Sequence, residues 1–190
     1  MKLIGILSDT HGIVPNQVYD FFKDCDEIWH AGDVGNVDVL TELQAFKPLR
    51  AVYGNMDGWD VRYETSENQL FFCEGAKVLM THIGGYPGRY ERQILPLIEE
   101  QRPDIFVSGH SHILKIMPDR KYNLLHINPG AAGWQGFHKV CTLVRIAIDG
   151  KAPKDLEVLE IKNYIQVLFL IVLIQFMIWH HLQKLYVQLL

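Results

Sequence analysis

The sequence predicts a mixed α/β fold, two packed mixed β-sheets flanked by helices, and three observations predict it. The first third alternates short apolar runs, polar tips and helical periodicity, the pattern of parallel strands joined by crossover helices. The second half is rich in strand-like runs separated by turn residues. Five apolar runs end in small sets of side chains able to bind cations, and in α/β folds ligands gather beyond the carboxyl ends of strands.

Taken in order, Leu3 to Leu7 reads as a buried strand that stops in Ser8-Asp9-Thr10-His11-Gly12. Alternate residues of an extended segment point the same way, so Asp9 and His11 leave one turn together and Gly12 lets the chain bend off. Pro15 to Lys23 reads as a helix with Val18, Phe21 and Phe22 turned inward, Pro being suited to a first helical position. Glu27 to His30 is a second strand ending in Ala31-Gly32-Asp33, and Val37 to Phe46 a helix with Val37, Leu40 and Leu43 on one face. Pro48 closes that helix, and Leu49 to Tyr53 is a third strand ending in Gly54-Asn55.

Beyond Asn68, Leu70 to Cys73 and Lys77 to Thr81 flank Glu74-Gly75-Ala76 at hairpin spacing, and the second run delivers His82. Arg89 to Gln101 is predicted helical, kinked or divided at Pro96. Asp104 to Ser108 is a strand opening into Gly109-His110-Ser111-His112. Ile113 to Met117, Tyr122 to Ile127 and Val140 to Ile148 read as successive antiparallel strands joined through Pro118 to Lys121 and the Asn128-Pro129-Gly130 loop, with Leu156 to Ile161 as a last edge strand after the Asp149-Gly150-Lys151 turn.

The 190 residues, 48% hydrophobic, suit one domain with a substantial core. It is expected over residues 1–162, followed by an atypical hydrophobic tail at 163–190. Ile165 to Trp179 is apolar except for Gln166 and Gln175, and Tyr164 to Leu182 just reaches the roughly 17 to 25 residues that span a bilayer. Three readings of the tail stay open: a membrane anchor, a helix docked on the domain or on a second copy in an oligomer, and a non-native extension.

The net charge of -4 and the lack of a basic cluster argue against a nucleic-acid-binding surface. Cys25, Cys73 and Cys141 are odd in number and widely spaced, which points to neither a disulfide framework nor a thiolate zinc site and suits a reducing, cytoplasmic setting. Met1 to Leu7 is too short and too soon interrupted by Asp9 for a signal-peptide core.

The candidate site collects Asp9, His11, Asp33, Asn55, His82, His110 and His112. Carboxylate, amide oxygen and imidazole without thiolate suit divalent ions that accept five or six ligands. Seven ligands exceed the needs of one such ion, whereas two ions about 3.5 to 4 Å apart would use them all, with Asp33 as the natural bridge.

Asp9-x-His11, Gly32-Asp33, Gly54-Asn55, His82 and Gly109-His110-Ser111-His112, in that order, resemble the five blocks of the calcineurin-like metallophosphoesterase superfamily. The opening Ile6 to Gly12 and the compact length are similar to its small YfcE-like phosphodiesterase branch, over residues 1 to about 160. The resemblance implies a four-layer αββα sandwich. It implies that Asp9, His11, Asp33 and His112 hold one metal and Asp33, Asn55, His82 and His110 the other. The ions would be two divalent cations, Mn²⁺ first, with Zn²⁺, Fe²⁺, Ni²⁺ or Mg²⁺ as alternatives.

The implied reaction is in-line attack of a metal-bridging hydroxide on a small phosphate-ester substrate, most simply a phosphodiester. Many relatives follow Gly-Asn with a His that protonates the leaving oxygen, whereas Gly54-Asn55 is followed here by Met56-Asp57. Asp57 is therefore a candidate donor, and substrates with good leaving groups are favoured. A phosphomonoesterase or nucleotide pyrophosphohydrolase on the same site stays open, as does a non-catalytic scaffold, since the superfamily also resembles the retromer scaffold subunit. His30 reads as a packed strand-end histidine, Asn128 as a support for a ligand, and His126 and His138 as neighbours of a turn set by Pro and Gly. Trp59, Arg62, Tyr86 and Arg89 are candidates for the rim of the site.

Overall fold

The computed structural model describes residues 1–162 of the chain. Its elements in order are β1 (Lys2–Leu7), α1 (Gln17–Phe22), β2 (Glu27–Ala31), α2 (Val37–Phe46), β3 (Leu49–Val52), α3 (Trp59–Glu64), β4 (Asn68–Cys73) and β5 (Ala76–Thr81). They continue through β6 (Gly85–Tyr86), β7 (Arg89–Tyr90), α4 (Leu95–Gln101), β8 (Ile105–Val107), β9 (Leu114–Asp119), β10 (Leu124–Pro129), β11 (Val140–Asp149) and β12 (Ala152–Lys162).

Two five-stranded sheets form, in the orders β12-β11-β1-β2-β3 and β4-β5-β8-β10-β9. Both are mixed: β1, β2 and β3 run parallel, as do β5, β8 and β10, while each sheet carries antiparallel neighbours outside that parallel core. Period-two alternation divides their side chains between faces. Ile4, Ile6, Trp29, Val78, Met80, Ile105, Val107, Ile127, Val144 and Ile146 fill the layer between the sheets. Leu7, Ile28, Ala51 and Leu143 face α1 and α2 on one outer side, meeting Val18, Phe22, Leu40 and Leu43. Leu79, Phe106 and Leu124 face α4 on the other, meeting Ile98. The result is the predicted sandwich, with helices outside each sheet.

The parallel strands explain where the site lies. Their carboxyl ends at Leu7, Ala31, Val52, Thr81 and Val107 open into loops carrying Asp9 and His11, Asp33, Asn55, His82, and His110 and His112.

Several local expectations are corrected. Arg89 to Ile94 is not helical: the short ribbon β6-β7 occupies part of it, and α4 begins at Leu95 with Pro96 in its first turn. There the missing N–H has no helical partner to lose, so Pro96 starts the helix instead of kinking it. β11 is not a neighbour of β10; the Asn128-Pro129-Gly130 segment carries the chain across to the first sheet, where β11 pairs with β1 and β12. The helix α3 was not foreseen because its six residues bury only Val61 and give no periodic stripe. β12 begins earlier than Leu156 and admits Pro153, as an edge strand can. Among the described residues no helix is long and apolar enough to cross a membrane. The tail at 163–190 and its three readings lie outside the described residues.

Candidate metal centre

The loops that carry the candidate residues are stitched to one another by their backbones. Asp9 N donates to Gly32 O at 2.9 Å, His11 N to Asp33 O at 3.0 Å and Gly12 N to Val34 O at 2.8 Å, so the first two loops are zipped together. Gly109 N donates to His82 O at 2.9 Å, and His110 N to Asp9 Oδ2 at 3.2 Å. Two glycines permit this closeness: a Cβ on Gly54 would stand 2.0 Å from Asp33 Oδ1, and one on Gly109 would stand 2.0 Å from Ser8 Oγ. Asp9, His11, Asp33, His110 and His112 all adopt left-handed φ values, between 49° and 68°. Such conformations cost roughly 1 to 3 kcal/mol each and persist where surrounding contacts over-determine them.

Six of the seven predicted ligands converge in two triads, Asp9-His11-His112 and Asp33-His82-His110, the ligand atoms of each lying within 4.8 Å of one another. The triads are contiguous: His82 Nε2 lies 3.3 Å from Asp33 Oδ2 and 3.9 Å from Asp9 Oδ1, and His112 Nε2 lies 3.2 Å from Asp9 Oδ1. Despite this proximity, Asp9 Oδ1 and His82 Nε2 are buried without a well-formed hydrogen bond. Lone pairs of carboxylate and imidazole turned inward in this way fit a divalent cation in each triad. Asn55, exposed on the loop after β3, borders the second triad and shares a cavity wall with His82.

Surrounding contacts set the tautomers. His82 Nδ1 donates to Ala31 O at 2.8 Å, which leaves Nε2 free for a cation. His112 Nδ1 faces His138 Nδ1 at 3.2 Å, and His138 Nε2 lies 2.8 Å from Gly133 O, so a relay of two imidazoles ends on a carbonyl and keeps His112 Nε2 available. Asn128 Nδ2 donates to Gly109 O at 2.7 Å and to Ser111 Oγ at 3.1 Å, bracing the last ligand loop. His30 is a buried strut, bonded through Nε2 to Thr10 Oγ1 and through Nδ1 to Gly32 N; burial pushes its pKa down to about 4. The contribution of His138 was not readable beforehand, because it depends on a loop returning 26 residues after His112.

Asp57 does not fit the role of proton donor. It is buried, and its carboxylate accepts from three backbone amides, Gly54 N and Val34 N on Oδ2 and Gly35 N on Oδ1. An acceptor so engaged has no proton to give, and its oxygens face backbone. It ties the loop of Asp33 to the loop of Asn55.

Charge shapes the histidines. Burial disfavours protonated His82, but its contact with Asp33 and the charge of Asp9 outweigh that and raise its pKa. The close Asp9 carboxylate raises the pKa of His112 against burial. Burial lowers that of His11, with Asp33 and Asp9 opposing. Asp33 ends below its ordinary value, because burial, which pushes it up, is outweighed by His82, the amide of Met56 and the charge of His11. The influence of Asp33 therefore reaches both triads.

The sequence profile of the calcineurin-like phosphoesterase superfamily domain matches residues 1–151. The chain belongs to that superfamily. A probable metallophosphoesterase of Methanothermobacter thermautotrophicus is 36% identical over 136 residues, covering 68% of this chain and 76% of its own. A phosphodiesterase of Methanocaldococcus jannaschii is 28% identical over 143 residues, covering 67% and 82%. Among solved structures, an archaeal phosphodiesterase superposes with a TM-score of 0.66 at 23% identity, over 84% of this chain and 99% of its own. The zinc complex of Entamoeba histolytica Vps29 superposes with a TM-score of 0.64 at 15% identity, over 84% and 98%. These two establish likeness of fold.

Two predictions follow from the geometry. Asp57→Ala strands three buried amides and should lower stability by about 3 kcal/mol in urea unfolding, at 1 to 3 kcal/mol per unsatisfied group; a loss below about 1 kcal/mol would contradict this bracing role. The raised pKa values of His82 and His112 mean that, above the ordinary value of 6.5, the folded metal-free protein holds more protons than the unfolded chain. Its melting temperature should therefore fall as pH rises from 6.5 toward about 8, while Mn²⁺ affinity, which needs neutral imidazoles, rises over the same interval. Parallel melting and titration series check both trends.

Proposed function

We propose that the protein is a metal-dependent phosphodiesterase using two divalent cations. The observation that carries this reading is the pair of contiguous triads with inward-facing, unpaired ligand atoms. Asp9, His11 and His112 would hold one cation and Asp33, His82 and His110 the other, with Asn55 completing the second from the rim. Bound there, the pair supplies an activated water as nucleophile and neutralises charge on the phosphoryl oxygens. Mn²⁺ is the first choice for this oxygen and nitrogen donor set.

The chain's own part is to hold and orient. Backbone zippers fix the carboxylates, and the carbonyl of Ala31 and the ring of His138 fix His82 and His112. Met56 cannot protonate a leaving oxygen and Asp57 is engaged elsewhere, so the reading favours esters whose leaving group needs no protein acid.

A diester is favoured over a monoester by the space around the cluster. One cavity of about 290 Å³ opens beside His110, and a second of about 630 Å³ opens beside Asn55 and His82. A phosphate centred on the triads could send one ester arm into each. The retained donor set argues against a purely scaffolding role, and the curated relative named as a phosphodiesterase supports the same reading.

The test is hydrolysis of bis(p-nitrophenyl) phosphate against p-nitrophenyl phosphate. The Mn²⁺-loaded protein should prefer the diester, lose activity to a chelator and regain it with Mn²⁺. Asp33→Asn should cost about a hundredfold or more, the scale on which removal of a charge-stabilising group acts. Activity that resists chelation, or survives in Asp33→Asn, would falsify the metal assignment; preference for the monoester would overturn the diester reading.

A further inference from the structure

The two cavities differ in chemistry. The one beside Asn55 and His82 is walled by polar residues including Arg62, Glu67, Asn68 and Gln93. The one beside His110 is walled chiefly by apolar surface from Ile83, Tyr86 and Ile113, with Arg89 and Lys115 adding positive charge. Lys115 Nζ rests 3.5 Å from the centroid of the Tyr86 ring. Glu91 borders the same space, yet among the described residues no ion pair ties up either cation. An anionic ester would therefore be drawn toward this side.

His126 also lines this second cavity, and it is anomalous. The residue is fully buried, and neither ring nitrogen has a hydrogen-bond partner. Phe106 flanks it with ring centroids 5.7 Å apart, and Tyr90 at 6.3 Å. The Tyr90 hydroxyl donates to Asp119, whose other oxygen accepts from the amides of Lys121 and Tyr122. Buried polar atoms are nearly always satisfied, so two orphans on one ring call for an explanation. Burial pushes the His126 pKa down to about 4, and a neutral imidazole offers one donor and one acceptor.

We propose that the cavity beside His110 receives a substrate arm ending in a flat nitrogen heterocycle of the nucleobase type, seated against Ile83, Tyr86 and Ile113 and hydrogen-bonded by His126. A volume of about 290 Å³ is at the small end of ligand cavities and suits one such ring. A heterocycle supplies the complementary acceptor and donor that a plain aryl ring lacks. The polar cavity takes the other arm. This assignment rests on the phosphodiesterase reading and deepens it by naming the class of one ester arm.

Calorimetric titration of the Mn²⁺-loaded full chain with adenosine 5′-phosphate, cytidine 5′-phosphate and ribose 5-phosphate tests it. All three carry the phosphate, and only the first two carry a base. At least one of those two should bind about tenfold more tightly than ribose 5-phosphate, the worth of one net hydrogen bond with its packing. Tyr86→Ala and His126→Leu should each shrink that advantage while leaving ribose 5-phosphate affinity unchanged. His126→Leu replaces an unsatisfied ring by an apolar side chain between aromatic neighbours, and an undiminished melting temperature verifies its fold; Tyr86→Ala alters a half-buried ribbon residue and stands as the independent variant. Equal affinity for all three phosphates, or an advantage that survives in both variants, overturns the proposal. Base-dependent binding without diester hydrolysis would sink the catalytic reading alone, and diester hydrolysis without base preference would sink this inference alone.

Discussion

The structure depends on how two buried carboxylates are compensated. Asp9 and Asp33 lie side by side in a pocket where neither pairs with a lysine or arginine among the described residues. Removing one such charge from water costs several kcal/mol even after relaxation, and two like charges add repulsion. Imidazoles surround them instead, and a proton on His82 or His112 is one form of compensation. Divalent cations are the stronger one, because each places two positive charges among acceptors that already point inward. The same groups therefore serve as a protonated network or as a ligand cage, and the change between the two is a release of protons.

That pocket constrains the chain around it. Five predicted ligands sit in left-handed backbone, a conformation that short polar residues tolerate better than β-branched ones. The turns are held by contacts outside the ligands: the amides of the first loop bonded to the carbonyls of the second, the Asp57 carboxylate binding three amides, and Asn128 bracing Gly109. Stability from the sandwich core, with Trp29 and Phe106 among its fully buried side chains, offsets this local strain. A rigid scaffold with strained tips is the arrangement expected where geometry at the tips matters.

Much of this was legible in the sequence, for identifiable reasons. Buried parallel strands leave short apolar runs, and the run Leu3 to Leu7 and the helix over Val37–Phe46 stand where periodicity puts them. Convergence of the ligands was legible because each follows a strand end, and parallel strands put those ends on one side. Asp57 misled because a carboxylate next to Gly-Asn looks chemical in one dimension, while its function as a triple amide acceptor exists only once two loops meet. Pro96 misled in the same manner: it marks a helix boundary, and which side of it is helical depends on the ribbon β6-β7. His138 and His126 became informative only through partners, or the want of them, contributed by distant segments.

Proton balance, loop stitching and the flanking cavities all refer to one pair of cation positions. Anomalous diffraction at the manganese edge from crystals grown with Mn²⁺ tests that directly. Two peaks should be seen, one bordered by Asp9, His11 and His112 and the other by Asp33, His82 and His110. A single peak, or none among these side chains, would contradict a two-cation centre.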